Sequence, residues 1–325
     1  MENKRSFFGR IVKNMGGTNV PILFLIFNRP ETTKQVFSAI CKAKPKKLYV
    51  AADGPRKNKS GEKELCERTR AIIKQIDWPC KVKTLFRKEN LGCGKAVSSG
   101  ITWFFENEEM GIILEDDCLP DKTFFHYCES LLNKYKDNEK IMMISGSNFI
   151  SEKVKIKESY YFSRYSHIWG WASWRRAWKY YDYNMTSWPE FKKMNRLNSI
   201  FSTFEERFFW KSTLDLAYLH KISSWDAQFQ YACFLNDGYC LYPCVNLISN
   251  IGFGKDSTHT SGENSYLSNI KRSSIHKIIH PSKFKQSVEI DYLNYQLAYN
   301  FSKPKLIYLY LLKLGKNMVE IFFKR

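Results

Sequence analysis

Between residues 22 and 144, short apolar runs alternate with stretches whose apolar residues recur at helical spacing. Ile22-Leu23-Phe24-Leu25-Ile26-Phe27 is a continuous apolar run, which predicts a strand buried on both faces, as in a parallel sheet. Asn28-Arg29-Pro30 follows, and Pro30 suits the first turn of a helix carrying Val36, Phe37 and Ile40. A second strand, 48–51, runs into the turn Asp53-Gly54-Pro55. Leu65, Thr69, Ile72, Ile73 and Ile76 mark a helix face, 82–85 a third strand, and Val97, Ile101, Phe104 and Phe105 a third helix. The strand 111–114 stops on Glu115-Asp116-Asp117. Phe124, Phe125, Cys128, Leu131 and Leu132 line a fourth helix, and 141–144 a fifth strand. This order predicts a doubly wound α/β layer, a mixed, mostly parallel sheet flanked by helices. Ligands of such sheets sit beyond the carboxyl ends of the strands, where Asn28-Arg29, Asp53 and Glu115-Asp116-Asp117 all fall. They are expected to converge on one crevice.

After about residue 150 the pattern changes. Residues 160–188 are crowded with aromatics, including Trp169, Trp171, Trp174, Trp178 and Trp188. Helices are expected over 204–219 and 226–235, and a loop over 249–265, which is rich in Gly, Ser, Thr and Asn. The boundaries read as a basic arm at 1–20, an α/β half at 21–150, a second half of the same domain at 151–265, and a helical tail at 266–325. Within that tail, 305–325 interleaves lysines with Leu, Ile and Phe, as a basic amphipathic helix does. Such a helix suits an anionic membrane surface, and equally a packing role on the catalytic domain or a partner.

The formal net charge of +19 favours polyanions without choosing among nucleic acid, anionic membrane and phosphorylated substrates. No zinc-finger or RNA-recognition signature accompanies it, so no nucleic-acid partner is expected. Nine scattered cysteines without a Cys-x-x-Cys pair suit a reducing compartment. There is no secretory apolar core near the N-terminus and no run of about 18 apolar residues. The expectation is a cytoplasmic chain, with peripheral contact on the cytoplasmic membrane face.

Three acidic residues after an apolar strand repel one another, and a divalent cation would compensate them. Carboxylates select hard ions, Mg²⁺ or Mn²⁺. The ion would bridge to a substrate diphosphate and neutralise charge on the leaving nucleotide. A solvated acidic turn is the plain alternative. Asp53 in Asp-Gly-Pro is also an ordinary turn former, Arg29 a candidate surface arginine, and Asp226 a candidate helix cap. Asn90-Leu91-Gly92-Cys93-Gly94-Lys95 puts glycines and a lysine at a helix start, so Lys95 is a candidate phosphate contact, although the full P-loop spacing is absent. His259 lies in the polar loop as a candidate metal ligand or an exposed histidine. Trp169-Gly170-Trp171 reads as an acceptor-sugar floor or as core.

The block Ile112-Ile113-Leu114-Glu115-Asp116-Asp117, with Pro120-Asp121, Phe124-Phe125 and Tyr127 after it, resembles the metal-site region of the N-acetylglucosaminyltransferase I family. Residues 21–29, Ala52-Asp53-Gly54, Ser224-Trp225-Asp226 and 240–259 resemble further segments of that family in order. The chain also resembles bacterial sugar transferases of cell-surface polysaccharide loci, which share the Asn-Arg-Pro, Ala-Asp-Gly-Pro-Arg, Glu-Asp-Asp-Cys and Trp-Gly-Trp-Ala elements. The resemblance implies a GT-A fold and an inverting, metal-dependent transfer of a sugar, GlcNAc first, from a UDP-sugar to a glycan or lipid-linked oligosaccharide. It implies Asp117 as metal ligand, Glu115 and Asp116 at ribose, sugar or metal-bound water, Asp53 at the uracil N–H, and Arg29 at nucleotide or phosphate. Asp226 would be the catalytic base, with Trp225 beside it at the acceptor. The acceptor half is less similar, so a mannose acceptor does not carry over. A nucleotidyltransferase is the competing enzyme class.

Overall fold

The computed structural model describes residues 18–253 and 270–299. β1 (Ile22–Ile26) turns through Asn28-Arg29 into α1 (Pro30–Ala43), where Pro30 occupies the first turn and its missing N–H costs nothing. There follow β2 (Lys47–Ala52), α2 (Glu62–Ala71), β3 (Lys81–Phe86), α3 (Cys93–Asn107) and β4 (Met110–Glu115). Next come β5 (Cys118–Pro120), α4 (Phe124–Lys134), β6 (Ile141–Ser145), β7 (Tyr160–Ser163), β8 (Trp171–Trp174) and the short α5 (Arg175–Trp178). The remainder is α6 (Trp188–Lys193), α7 (Leu197–Ile200), α8 (Phe204–Tyr218), α9 (Asp226–Leu235), β9 (Tyr239–Pro243), β10 (Ile248–Asn250) and α10 (Val288–Tyr299).

Eight strands form one sheet in the order β3-β2-β1-β4-β8-β6-β9-β7. β1 pairs in parallel with β2 and β4, β2 with β3, and β6 with β9. β8 is antiparallel to β4 and β6, and β7 to β9. The fold is therefore the expected mixed, mostly parallel sheet flanked by helices.

Both faces of the sheet are covered, which is why β1 is apolar at every position. Ile22, Phe24 and Ile26 pack with Val36, Phe37 and Ile40 of α1 and Phe124 and Leu131 of α4. Leu23 and Leu25 face the other way, toward Ile101 and Phe104 of α3 and Phe229 and Cys233 of α9. Each such side chain stabilises by roughly 1.5–3 kcal/mol when fully buried. A third apolar cluster, between α6, α8, α9 and α10, is helical and centres on Trp188, Trp210 and Tyr295.

The segment expected as one loop from residue 249 begins instead as a strand. β10 pairs antiparallel with β5, Ile248 opposite Pro120 and Asn250 opposite Cys118. Three-residue strands whose partners lie about 130 residues apart leave no period in the sequence. Residues 254–269, with His259, and the terminal stretches 1–17 and 300–325, with the basic amphipathic segment, lie outside the described residues. No helix among the described residues is long and apolar enough to cross a membrane.

Candidate functional site

Because β1, β2 and β4 are parallel neighbours, their carboxyl ends emerge at one edge of the sheet, with Leu25 of β1 directly opposite Glu115 of β4. Arg29, just beyond β1, reaches across to the acidic block. Its Nη1–H donates to Asp117 Oδ2 at 3.0 Å, and its Nη2–H donates to Asp116 Oδ1. The Phe27 amide donates to Asp116 Oδ2 at 3.3 Å. The Asp116 side chain is 3% exposed and Asp117 13%, so this is a largely dry ion-pair fork.

Charge at the fork is unbalanced. Burial pushes the Glu115 carboxyl well above the usual range, and Asp117 and Asp116 push it further, against Arg29. Burial also lifts Asp116, with Arg29 pulling it down. Burial opposes the charge on Arg29, but its two carboxylate partners hold it cationic. Both members of the Arg29–Asp116 pair are thus shifted upward, which favours the charge on Arg29 and opposes it on Asp116; the contact with Arg29 and the Phe27 amide both stabilise the carboxylate and keep the pair ionised. Glu115 as a residue is half-buried, yet its Oε1 atom is enclosed and has no hydrogen-bond partner among the described residues. Three carboxylates and one guanidinium leave two negative charges to be compensated by protons or a cation.

The segment after β10 packs against this end of the sheet. The Ile251 amide donates to the Asp117 carbonyl at 2.8 Å. Gly252 packs so closely that a Cβ there would sit 2.8 Å from Arg29 Nη1 and closer still to Asp117 Oδ2. Phe253 meets the Trp169 ring edge-on at 5.7 Å, and Trp169 is half-buried.

Asp53, at the end of β2, works on backbone. Its carboxylate accepts from the amides of Gly54 at 2.9 Å, Leu91 at 3.0 Å and Gly92 at 3.1 Å. It thereby pins the loop that opens α3, on whose first turn Lys95 stands exposed. A Cβ on Gly94 would lie 3.0 Å from the Ser224 carbonyl, so α3 begins hard against the segment that carries Asp226. Asp226 opens α9 and is exposed; the Ser224 hydroxyl donates to its Oδ1 and accepts from the Ala227 amide at 3.2 Å. Glu115 and Cys93 both lie within the electrostatic reach of Asp226. The structure thus brings Arg29, Glu115, Asp116, Asp117 and Asp226 to one end of the sheet.

Two tryptophans expected at an acceptor are placed in the core. Trp171 is fully buried in β8 and stacks on Trp225, itself 3% exposed, at 5.8 Å. Neither presents a free face to a sugar; both support α9 from beneath. Sequence reasoning missed Glu62, the buried first residue of α2. It accepts from Asn28 Nδ2 at 2.9 Å and the Arg56 amide at 2.7 Å and pairs with the Arg56 guanidinium, tying the turn after β1 to the turn after β2. An acidic residue opening a helix just after Asp-Gly-Pro-Arg was the available signal.

No group of three or more His, Cys, Asp or Glu side chains among the described residues is arranged to hold a metal ion by itself. The donor set nevertheless suits a hard cation whose shell substrate oxygens complete. The enclosed Glu115 Oε1 is unpartnered, the donors are all carboxylate oxygen, and the charge deficit is two.

No protein-family model matches the chain, and no curated protein matches it. Among solved structures, HddC from Yersinia pseudotuberculosis aligns at 11% identity over 38% of this chain and 56% of that one, with a TM-score of 0.27. UDP-glucose pyrophosphorylase complexed with UDP-glucose aligns at 13% identity over 46% of this chain and 64% of that one, with a TM-score of 0.25. The chain spans less than two thirds of either neighbour, and likenesses at these scores bear on neither fold nor activity.

Proposed function

We propose that the chain is a metal-dependent inverting glycosyltransferase that uses a UDP-sugar, GlcNAc being the first donor to test, and a hydroxyl of a glycan or lipid-linked acceptor. The observation that carries this reading is the pairing of an undercompensated acidic fork with a separate carboxylate, Asp226, at the same end of a mostly parallel sheet. Asp117 and Glu115 would hold Mn²⁺ or Mg²⁺, which when bound neutralises charge on the diphosphate. Arg29 steadies Asp116 and Asp117 and presents its remaining face to the nucleotide. Asp53 acts through the 89–92 loop that it pins, and Lys95 stands at that loop's edge for a phosphate.

Asp226 is exposed and held by the Ser224 hydroxyl, as a base that must meet an incoming hydroxyl requires. The acceptor oxygen forms its bond to the anomeric carbon as the bond to the diphosphate oxygen breaks. The hydroxyl proton goes to Asp226, and the bonding pair leaves with UDP. Attack from the face opposite the leaving group inverts the anomeric centre.

The experiment is a donor panel with Mn²⁺ or Mg²⁺, read as nucleoside diphosphate released and sugar transferred. Asp226→Asn is expected to lower transfer by roughly 10²–10⁴-fold, the range for a general base, with donor binding retained. Transfer at the wild-type rate would remove Asp226 from the reaction. Pyrophosphate release in place of nucleoside diphosphate would assign the chain to the nucleotidyltransferases.

A further inference from the structure

Beside Asp226, between α8, α9 and the end of α10, lies a cavity of about 140 Å³ that the donor chemistry does not use. Trp210, Phe209 and Tyr299 form one aromatic wall, with ring centroids 4.9 Å apart for Phe209–Trp210 and Phe209–Tyr299 and 5.4 Å for Trp210–Tyr299. Ser166, Thr213, Ser224 and Gln230 line it with neutral polar groups. Among its described lining residues Asp226 alone carries charge at neutral pH; no lysine or arginine is present. Trp210 is 3% exposed and its Nε1–H has no hydrogen-bond partner among the described residues.

We propose that this cavity is an acceptor subsite that takes one uncharged pyranose ring and presents a ring hydroxyl to Asp226. The inference rests on the reading of Asp226 as the base. A protein cavity of about 150 Å³ holds a benzene ring, so about 140 Å³ seats one face of a pyranose, with the remaining hydroxyls left at the open side where Asp226 is exposed. The chemistry selects a sugar over a hydrocarbon ring, because a ring without hydroxyls would leave the buried indole N–H unpaired, while Ser166, Gln230 and Ser224 already bond within the protein. The aromatic wall meets the apolar face of a pyranose. Charge excludes phosphate, since Asp226 repels an anion and no cation in the lining compensates it. Donor and acceptor are thereby sorted by charge, the diphosphate to Arg29 and the cation that the acidic fork would hold, the neutral ring to this cavity.

The test uses the full chain without donor or metal. Methyl glycosides of glucose, galactose, mannose and N-acetylglucosamine are titrated by saturation-transfer NMR, alongside their 6-phosphates. At least one neutral glycoside is expected to bind in the millimolar range, at least ten-fold tighter than its phosphate. Thr213→Leu, which fills the cavity, is expected to weaken it at least five-fold. Trp210→Phe, which keeps a ring and deletes the N–H, is expected to weaken it at least three-fold. No glycoside binding, preference for the phosphates, or unchanged binding by folded variants overturns the subsite. If Thr213→Leu fails to fold, Trp210→Phe and the phosphate comparison still decide. Glycoside binding without nucleoside diphosphate release from any donor keeps the subsite and sinks the transferase; release without glycoside binding does the reverse.

Discussion

At the scale of single residues, Arg29 sets the acidic fork. It faces two carboxylates, one of them almost wholly buried, and replacing it leaves that charge with the Phe27 amide but without a cation. Breaking a buried pair costs about 3–5 kcal/mol, and the 25% exposure of Arg29 moves the expectation toward the lower end. Arg29→Met is therefore expected to lower the thermal midpoint by several degrees; an unchanged melt would mean that the fork is held elsewhere. Gly252 makes the complementary case. A methyl group there meets Arg29 Nη1, Asp117 Oδ2 and, at 2.9 Å, Asp117 Cβ, so the guanidinium and the whole Asp117 side chain must shift. Gly252→Ala should push the Arg29–Asp117 contact apart while leaving the core intact. Activity is expected to fall at least ten-fold with a melting midpoint near wild type. A variant with full activity would show that the contact is dispensable.

At the scale of elements, Asp53 is a fastener. Three backbone amides end on its carboxylate, and through them β2 fixes the start of α3, which in turn abuts Ser224, two residues before Asp226. Asp53→Ala leaves those partly buried amides unpaired, at about 1–3 kcal/mol for a lost buried acceptor. Hydrogen exchange at Leu91 and Gly92 should quicken and acceptor turnover should drop together; exchange at the wild-type rate would refute the fastener. Strands β1, β2, β4 and β6 were legible because burial on both faces forces continuous apolar runs, and helices α1 to α4 because they must show a 3.6-residue stripe. The β5–β10 ribbon was not, since pairing across about 130 residues leaves no local trace. Asp53 and Asp226 were legible as positions, at a strand end and a helix start, but not in their partners. Trp171 and Trp225 show the limit of composition: an aromatic cluster reads alike as sugar floor or core, and only the packing of β8 under α9 separates the two.

At the scale of the whole molecule, the interior carries titratable groups that make its stability depend on pH. His167 is 5% exposed, stacks on Phe149 at 4.2 Å, meets Tyr242 edge-on at 5.1 Å, and has no partner for either ring nitrogen among the described residues. Burial lowers its pKa to about 3. The unfolded chain titrates this group near 6.5 and so binds the proton first as pH falls. The neutral ring therefore carries no pH-dependent cost above about 6.5, and stability is lost as pH drops from there toward 3, at most about 1.4 kcal/mol per unit. Asp291 works in the opposite sense. Burial raises its carboxyl to about 6, so its contribution is present below the ordinary aspartate range and is lost as pH rises to about 6. The two windows overlap, and a wild-type melt alone cannot separate them. His167→Phe keeps a ring of similar shape among the same aromatic neighbours and removes only the proton site. The difference in midpoint between variant and wild type is expected to shift in the variant's favour as pH is lowered from 7 to 5, the buried carboxyls cancelling between the two. A difference independent of pH over that range would mean that His167 takes up its proton in the fold as readily as in the unfolded chain, and a shift in favour of wild type that the fold already holds the proton at pH 7.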